Sequence, residues 1–441
     1  MDIGGTVEIH DGNDGNAGET PAQLPDTPNS MAAGMGQQPG IPIPKQSGRG
    51  QWRQLARGGR IWLCRALLAL LLVGGIFFSL VPEGRAAARA ALLLPALITQ
   101  SEPAPLVLAG DPIHHTQATI NSRDGTVYLD IYAPTTAPPP IPGAREGVVV
   151  ISGVGDNRQV PQLVNLLQAM ARSGLVVMAL TTQTLMDYDL APATSDAIVQ
   201  AVLALRHYPG VGPSRVGILG FSAGGSVACI AAADPRIRDS LAFITLFGSY
   251  YDARTLLRDF GRRAQDVDGQ LVHWTPNAVP VQVLTNAIAD TLPNGDGDIL
   301  RGGINTTTGL SLSPLDQAQL SPPALAAYHL LVGDEPQQVE ANLAALSPAM
   351  QTLLVNLSPS SVITQVHAPI YLLHDRNDVF VPFTQSRAFD AALTTLGHQH
   401  RYAEFSIFQH VEVRTGLGIG PLLRDGVTLY LLLTDMLQPG S

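Results

Sequence analysis

Residues 215–233 read RVGILGFSAGGSVACIAAA. Arg215 to Phe221 is a short apolar run of strand character, and Ala223 to Ala233 is a run of small and aliphatic residues of helical character. The joint between them, Gly220-Phe221-Ser222-Ala223-Gly224, fits G-x-S-x-G. A pattern of such common residues carries little weight alone. Its context adds weight, because a strand ending at Phe221 and a helix starting at Ala223 put Ser222 on a sharp turn. Small neighbours are what such a turn requires, since its backbone is strained and other elements crowd it. A glycine turn whose serine only caps the following helix is the plainer reading.

The same alternation runs outward in both directions. Gly147 to Ser152 is a β-branched run, Val160 to Arg172 is amphipathic, and Leu175 to Thr182 is short and apolar. Ser195 to His207 has helical spacing, and Leu241 to Phe247 is again a strand. Ahead of them, Thr116 to Ile120 and Thr126 to Tyr132 alternate around Asp124-Gly125, the pattern of a hairpin. Short apolar strands alternating with helices predict a mostly parallel sheet covered on both faces, an α/β architecture over residues 111–249 and 368–441. Between those stretches, over residues 250–367, helical segments rich in Ala and Leu are interrupted by Pro276, Pro293, Pro314, Pro336 and Pro348. This part is read as an inserted helical cap. It starts at the carboxyl end of a strand, where open sheets place their sites, so the cap is expected to shape access. The alternation resumes with Ile370 to Leu373, Phe383 to Leu396, Tyr402 to Phe408 and Leu422 to Leu437.

A serine hydroxyl is a poor nucleophile until a base takes its proton, and that base needs a carboxylate to hold its tautomer and stabilise the imidazolium. Both have to lie downstream on strand ends. His374-Asp375-Arg376-Asn377-Asp378-Val379-Phe380-Val381-Pro382 follows the strand at Ile370, and Asp378 is the expected carboxylate, with Asp375 as its rival. His410, after the last strand, is the expected base, whereas His398 and His400 precede that strand and belong at the opposite edge of the sheet. An oxyanion needs two backbone donors. The amide of Ala223 is one, and the loop Ser152-Gly153-Val154-Gly155 supplies the other at Val154.

With these residues in place the chain resembles the α/β-hydrolase fold superfamily, in particular its dienelactone-hydrolase-like and prolyl-oligopeptidase-like esterase and peptidase branches. The resemblance spans about residues 116–438 apart from the cap. It rests on the turn at Ser222, on the match of His374 to Pro382 with H-G-x-x-D-x-x-V-P, and on a histidine after the last strand. The order Ser222, Asp378, His410 is that of the superfamily. Two positions depart from it: Ser152 stands where many members carry histidine in the oxyanion loop, and Asp375 replaces the glycine of H-G-x-x-D. The resemblance implies a serine hydrolase working through an acyl-enzyme. Ser222 is then the nucleophile, His410 the base and later the acid, and Asp378 the residue that orients it. Val154 and Ala223 hold the oxyanion, and no metal or organic cofactor is needed. Carboxylic esters are the expected substrates. A peptidase or other amidase uses the same triad, and a catalytically inactive binding protein on this fold is a third reading.

The first part of the chain is of another kind. Residues 1–60 carry no apolar period and are read as disordered. Asp2, Glu8, Asp11, Asp14, Glu19 and Asp26 all precede Lys45, after which Arg49, Arg53, Arg57 and Arg60 reverse the sign. Residues 61–81 then hold Arg65 as their only charge, with Trp62 near the boundary. As a helix they reach roughly 30 Å, enough to span a hydrocarbon core. They are read as a transmembrane anchor, with the amino terminus cytoplasmic and the hydrolase domain extracytoplasmic. A cleaved signal peptide is the competing reading, since Arg85-Ala86-Ala87-Ala88-Arg89-Ala90 offers cleavage sites and would leave a secreted domain. Residues 82–110, with Pro95, Pro103 and Pro105, are read as a linker.

Across the 441 residues, 26 Lys and Arg against 36 Asp and Glu leave a formal charge of -10, and Lys45 is the only lysine. The basic stripe that nucleic-acid binding requires is missing from the folded part. Cys64 and Cys229 cannot build a disulfide framework. Asn294 to Asp298 imitates the start of a calcium loop, but Ile299 stands where glycine is required and Asn305 where glutamate is. His114-His115 has no partner at metal-ligand spacing and is read as loop. Tyr250-Tyr251-Asp252 follows a strand end, placed either to line a pocket or to pack. Nothing in these residues fixes an oligomeric state.

Overall fold

The computed structural model describes residues 77, 81–98, 102–138, 144–293, 295–414 and 416–438. The segment 1–60 and nearly all of the expected anchor 61–81 lie outside the described residues. Among the described residues, no helix is long and apolar enough to cross a membrane.

Eight strands form one sheet: β1 (Ile113–Ser122), β2 (Gly125–Pro134), β3 (Arg145–Ile151), β4 (Val176–Thr182), β5 (Val211–Phe221), β6 (Leu241–Phe247), β7 (Ile370–Asp375) and β8 (His400–Phe405). Their order is β1-β2-β4-β3-β5-β6-β7-β8. β1 and β2 form the expected hairpin, β2 runs antiparallel to β4, and every neighbouring pair from β4 to β8 is parallel. The inner strands are buried on both faces, as their unbroken apolar runs require. Val149 and Ile151 of β3 pack with the helices Thr194–Arg206 and Ala223–Ala232, while Val148 and Val150 pack with Pro161–Arg172 and Ile419–Met436. Cys229 is wholly buried in the first of these layers, and burial pushes its thiol up to about 12. From β3 the chain steps outward to β4, then returns to lay β5 on the other flank of β3. The carboxyl ends of β3 and β5, where Ile151 pairs with Gly220, therefore bound the crevice at the sheet's switch point.

The linker expected over residues 82–110 is instead built into the domain at its described residues, 82–98 and 102–110. Pro82–Ile98 and Ala104–Ala109 are helices. Ala86, Ala90, Leu93 and Ala96 are buried at three- and four-residue spacing, and the first helix lies along Ile419–Met436. Arg89 donates to Glu146 at 3.1 Å, and Arg172 to Glu102 at 2.6 Å. Pro95, which suggested a spacer, lies on the exposed side of the first helix. A face made mostly of alanine gives little hydrophobic contrast in sequence, yet it packs closely because it is flat.

Between β6 and β7 the chain is largely helical. Pro314, Pro322 and Pro348 each begin a helix, where a missing N–H costs nothing; Pro314 and Pro348 therefore start elements that they were expected to interrupt. Asp252, Asn277, Ser313 and Ser347 cap helices through their side chains. Gln385 fastens this part to the sheet. Its Oε1 accepts the N–H groups of Tyr251 and Asp252, each at 3.1 Å, and its Nε2 donates to Asp259 at 3.3 Å. Tyr250 and Tyr251 accordingly pack: Tyr250 is buried, and the Tyr251 ring lies 4.6 Å from that of Phe389.

Two stability predictions follow from these contacts. Deleting residues 1–105 is expected to cost at least about 2 kcal/mol relative to a chain that keeps residues 82–105, roughly the value of one buried leucine, as read by urea denaturation. Burial pushes the Asp259 carboxyl up to about 7. The unfolded chain ionises this group near pH 4, so from about pH 4 to pH 7 the unfolded state binds fewer protons and stability falls as pH rises. Asp259→Asn is therefore expected to raise the melting temperature at about pH 8 and leave it nearly unchanged at about pH 4.

Candidate active site

β5 ends at Phe221 and the helix Ala223–Ala232 starts two residues on, so the chain turns over Ser222 alone. Ser222 adopts φ 55° and ψ -138°, a left-handed conformation that costs a non-glycine residue on the order of 1–3 kcal/mol. Its N–H is held by the Phe247 carbonyl at the end of β6, at 2.7 Å. Crowding explains the small neighbours. A Cβ on Gly220 would lie 2.5 Å from Gly225 Cα, and one on Gly224 would lie 2.7 Å from the Gly153 nitrogen. The Ser222 side chain makes no capping hydrogen bond, so the plainer reading of a helix-capping serine does not describe it.

The loop after β3 lies against this turn, a Cβ on Gly153 falling 3.2 Å from Ser222 Cβ. Gly153 takes a positive φ of 91°, and Asn157 Nδ2 holds the Val154 carbonyl at 2.8 Å. Among the described residues, neither the Val154 nor the Ala223 N–H donates to a protein acceptor. One of these amides directly follows Ser222, and the other belongs to the loop that crosses it. The loop is anchored by Arg158, which donates to the wholly buried Asp130 at 3.0 Å and sits over the Tyr128 ring. His114 and His115, expected in a loop, belong to β1, and His115 pairs with the same Asp130 at 2.7 Å.

Asp378 lies in the loop after β7. Its Oδ2 accepts from His410 Nδ1 at 2.7 Å, and its Oδ1 accepts the N–H groups of Phe380 and Val381 at 2.7 and 3.0 Å. Burial raises the proton affinity of this carboxylate. The charge of His410 and the bonds from His374 and His410 outweigh that effect and hold Asp378 below the ordinary carboxylate range. His410 has a φ of 65° in the turn of a short hairpin, Phe408–Gln409 with Glu412–Val413. Its ring stacks on Phe380 at 4.5 Å. Gly248, directly after the residue that holds Ser222, is so close that a Cβ there would meet His410 Nδ1 at 3.0 Å. Serine and histidine thus border the same strand end. Among the described residues, no hydrogen bond joins the Ser222 hydroxyl to His410; such a bond tightens as substrate seats.

Asp375, the rival carboxylate, has other partners. Its Oδ1 accepts from the Asn377 N–H and side-chain amide, and its Oδ2 accepts the Phe408 N–H at 2.7 Å. It ties the acid's loop to the histidine's hairpin, and burial pushes its carboxyl up. His400 opens β8 at the far edge, bonded to Asp390 at 3.0 Å. Sequence reading missed two cap residues that reach the site. Trp274 Nε1 donates to the Asp378 carbonyl at 2.8 Å, and the Asn277 N–H donates to the Val379 carbonyl at 2.7 Å. No local spacing pairs residue 274 with residue 378, so no signal was available.

Sheet order, serine turn and the carboxylate–histidine pair on successive strand ends make this the α/β-hydrolase fold. No family model and no curated protein sequence matches the chain. Among solved structures it is similar to Porphyromonas gingivalis dipeptidyl peptidase 4, at 13% identity and TM-score 0.40, covering 73% of this chain and 35% of that one. It is also similar to Pyrococcus horikoshii acylaminoacyl peptidase, at 16% and 0.42, covering 77% and 44%. A hyperthermophilic esterase from Pyrobaculum calidifontis matches at 14% and 0.41, covering 81% and 92%. The chain thus spans less than half the length of these two peptidases.

Gly224→Ala would drive a methyl group into the backbone of Gly153. It is expected to destabilise the domain by about 1–3 kcal/mol and to slow labelling of Ser222 by a fluorophosphonate, measured on the fraction that remains folded.

Proposed function

We propose that this chain is a serine hydrolase that cleaves carboxylic esters through an acyl-enzyme. The observation that carries the reading is the 2.7 Å bond from His410 to the buried Asp378, set beside the strained turn at Ser222. Ser222 Oγ forms a bond to the acyl carbon while His410 Nε2 takes its proton. The carbonyl pair moves onto oxygen, which the Val154 and Ala223 amides hold. Collapse breaks the bond to the alcohol, which leaves with the proton from His410. Water then repeats the sequence on the acyl-serine, releasing the acid and returning the proton to Ser222. Asp378 stays ionised throughout, so loss of activity toward acid reports protonation of His410.

Membrane attachment belongs to the same proposal. It is supported by the sequence of residues 61–81, with Arg65 their only charge, and by the basic cluster before them. The hydrolase domain would then face away from the cytoplasm.

The test treats the full chain with a fluorophosphonate, maps the adduct, and compares p-nitrophenyl esters with aminoacyl p-nitroanilides. Ser222→Ala is expected to abolish the adduct and lower ester turnover by at least about a thousandfold without lowering the melting temperature. Turnover retained in that variant overturns the nucleophile assignment. Faster anilide than ester cleavage makes the chain an amidase. A folded wild type that neither labels nor turns over makes it a binding protein on this fold.

A further inference from the structure

His374 lies wholly buried at the end of β7, and the mechanism above leaves it unused. Its Nε2 is 3.0 Å from the Val381 carbonyl and 3.2 Å from Asp378 Oδ2, and its Nδ1 is 2.7 Å from Ser386 Oγ. A carbonyl only accepts, so Nε2 carries the hydrogen, and Nδ1 of the neutral ring accepts the Ser386 hydroxyl. The Asp378 carboxylate then meets three donors of its own, the Phe380 and Val381 amides on Oδ1 and His410 on Oδ2, while the His374 N–H, shared with the Val381 carbonyl, lies beside Oδ2 as a fourth.

Resting on the triad reading, we infer that His374 is a positioning residue that acts through Asp378: it locks the carboxylate and draws on the oxygen that His410 uses, lowering the pH at which His410 becomes a working base. The Val381 carbonyl fixes the tautomer that makes this so, and Ser386 holds the other face of the ring. The groups facing the pair are few. His374 and Asp375 approach Asp378 from β7, Phe380 covers the His410 ring, and the cap bonds to the loop through Trp274 and the Asn277 amide. Asp375 is spent on Asn377 and Phe408. Removing the His374 donor leaves Oδ2 to His410 alone, which stabilises the imidazolium and moves the acid limb of activity upward.

The experiment measures kcat/KM against pH for p-nitrophenyl acetate with the full chain in wild-type, His374→Leu, His374→Gln and Ser386→Ala forms. His374→Leu is expected to raise the acid limb by roughly half a pH unit or more and to lower the plateau about tenfold through kcat. His374→Gln, whose amide can donate from the same place, is expected to keep the wild-type limb. Ser386→Ala is expected to move it the same way by less. An acid limb unmoved in folded His374→Leu overturns the inference and leaves the residue a packing role. Should that variant fail to melt cooperatively, an unmoved limb in Ser386→Ala overturns it. A wild type without a Ser222 adduct overturns the triad reading itself, and this inference with it.

Discussion

A carboxylate held away from water is tolerable only when donors surround it, and meeting that demand at Asp378 assembles the site. Its side chain gathers the amides of its own loop, an imidazole from β7 and an imidazole from beyond β8. Its main-chain carbonyl is taken by Trp274 of the insertion. Two parts of the chain that are remote in sequence, at His410 and at Trp274, are thereby brought to one loop. The charge stays on Asp378 because its neighbours favour it by more than burial opposes it.

The other half of the site is governed by steric closeness. β3 and β5 are neighbours, so the turn at Ser222 and the loop at Gly153 have to pass each other at backbone distance. Glycine at 153 and 224 lets them do so. The two halves meet at the end of β6, where Phe247 holds the Ser222 amide and Gly248 abuts the His410 ring. Sheet order therefore brings Ser222 and His410 to the same strand end.

What was legible in the sequence was what local pattern encodes. Period-two and β-branched runs marked β1 to β7, and the G-x-S-x-G joint marked the turn. The order of Ser222, Asp378 and His410 followed from where strands ended. Three features were not legible. The helix Pro82–Ile98 packs through alanines, so it lacks the contrast that periodicity reading relies on. The run expected as one strand from Tyr402 to Phe408 stops at Phe405, where the Ser406 N–H turns to Asp425 and the Phe408 N–H to Asp375, partners remote in sequence. The cap's contacts at Trp274 and Asn277 depend on tertiary placement alone.

Because the insertion is bonded to the main chain of the acid's own loop, it is poorly suited to swing as a lid. Any outward movement of Trp274 and Asn277 would release the carbonyls of Asp378 and Val379 and loosen the carboxylate on which His410 depends. Opening and competence would then exclude one another. The insertion is thus fastened to the loop that carries the carboxylate, and its position and that of Asp378 are set together.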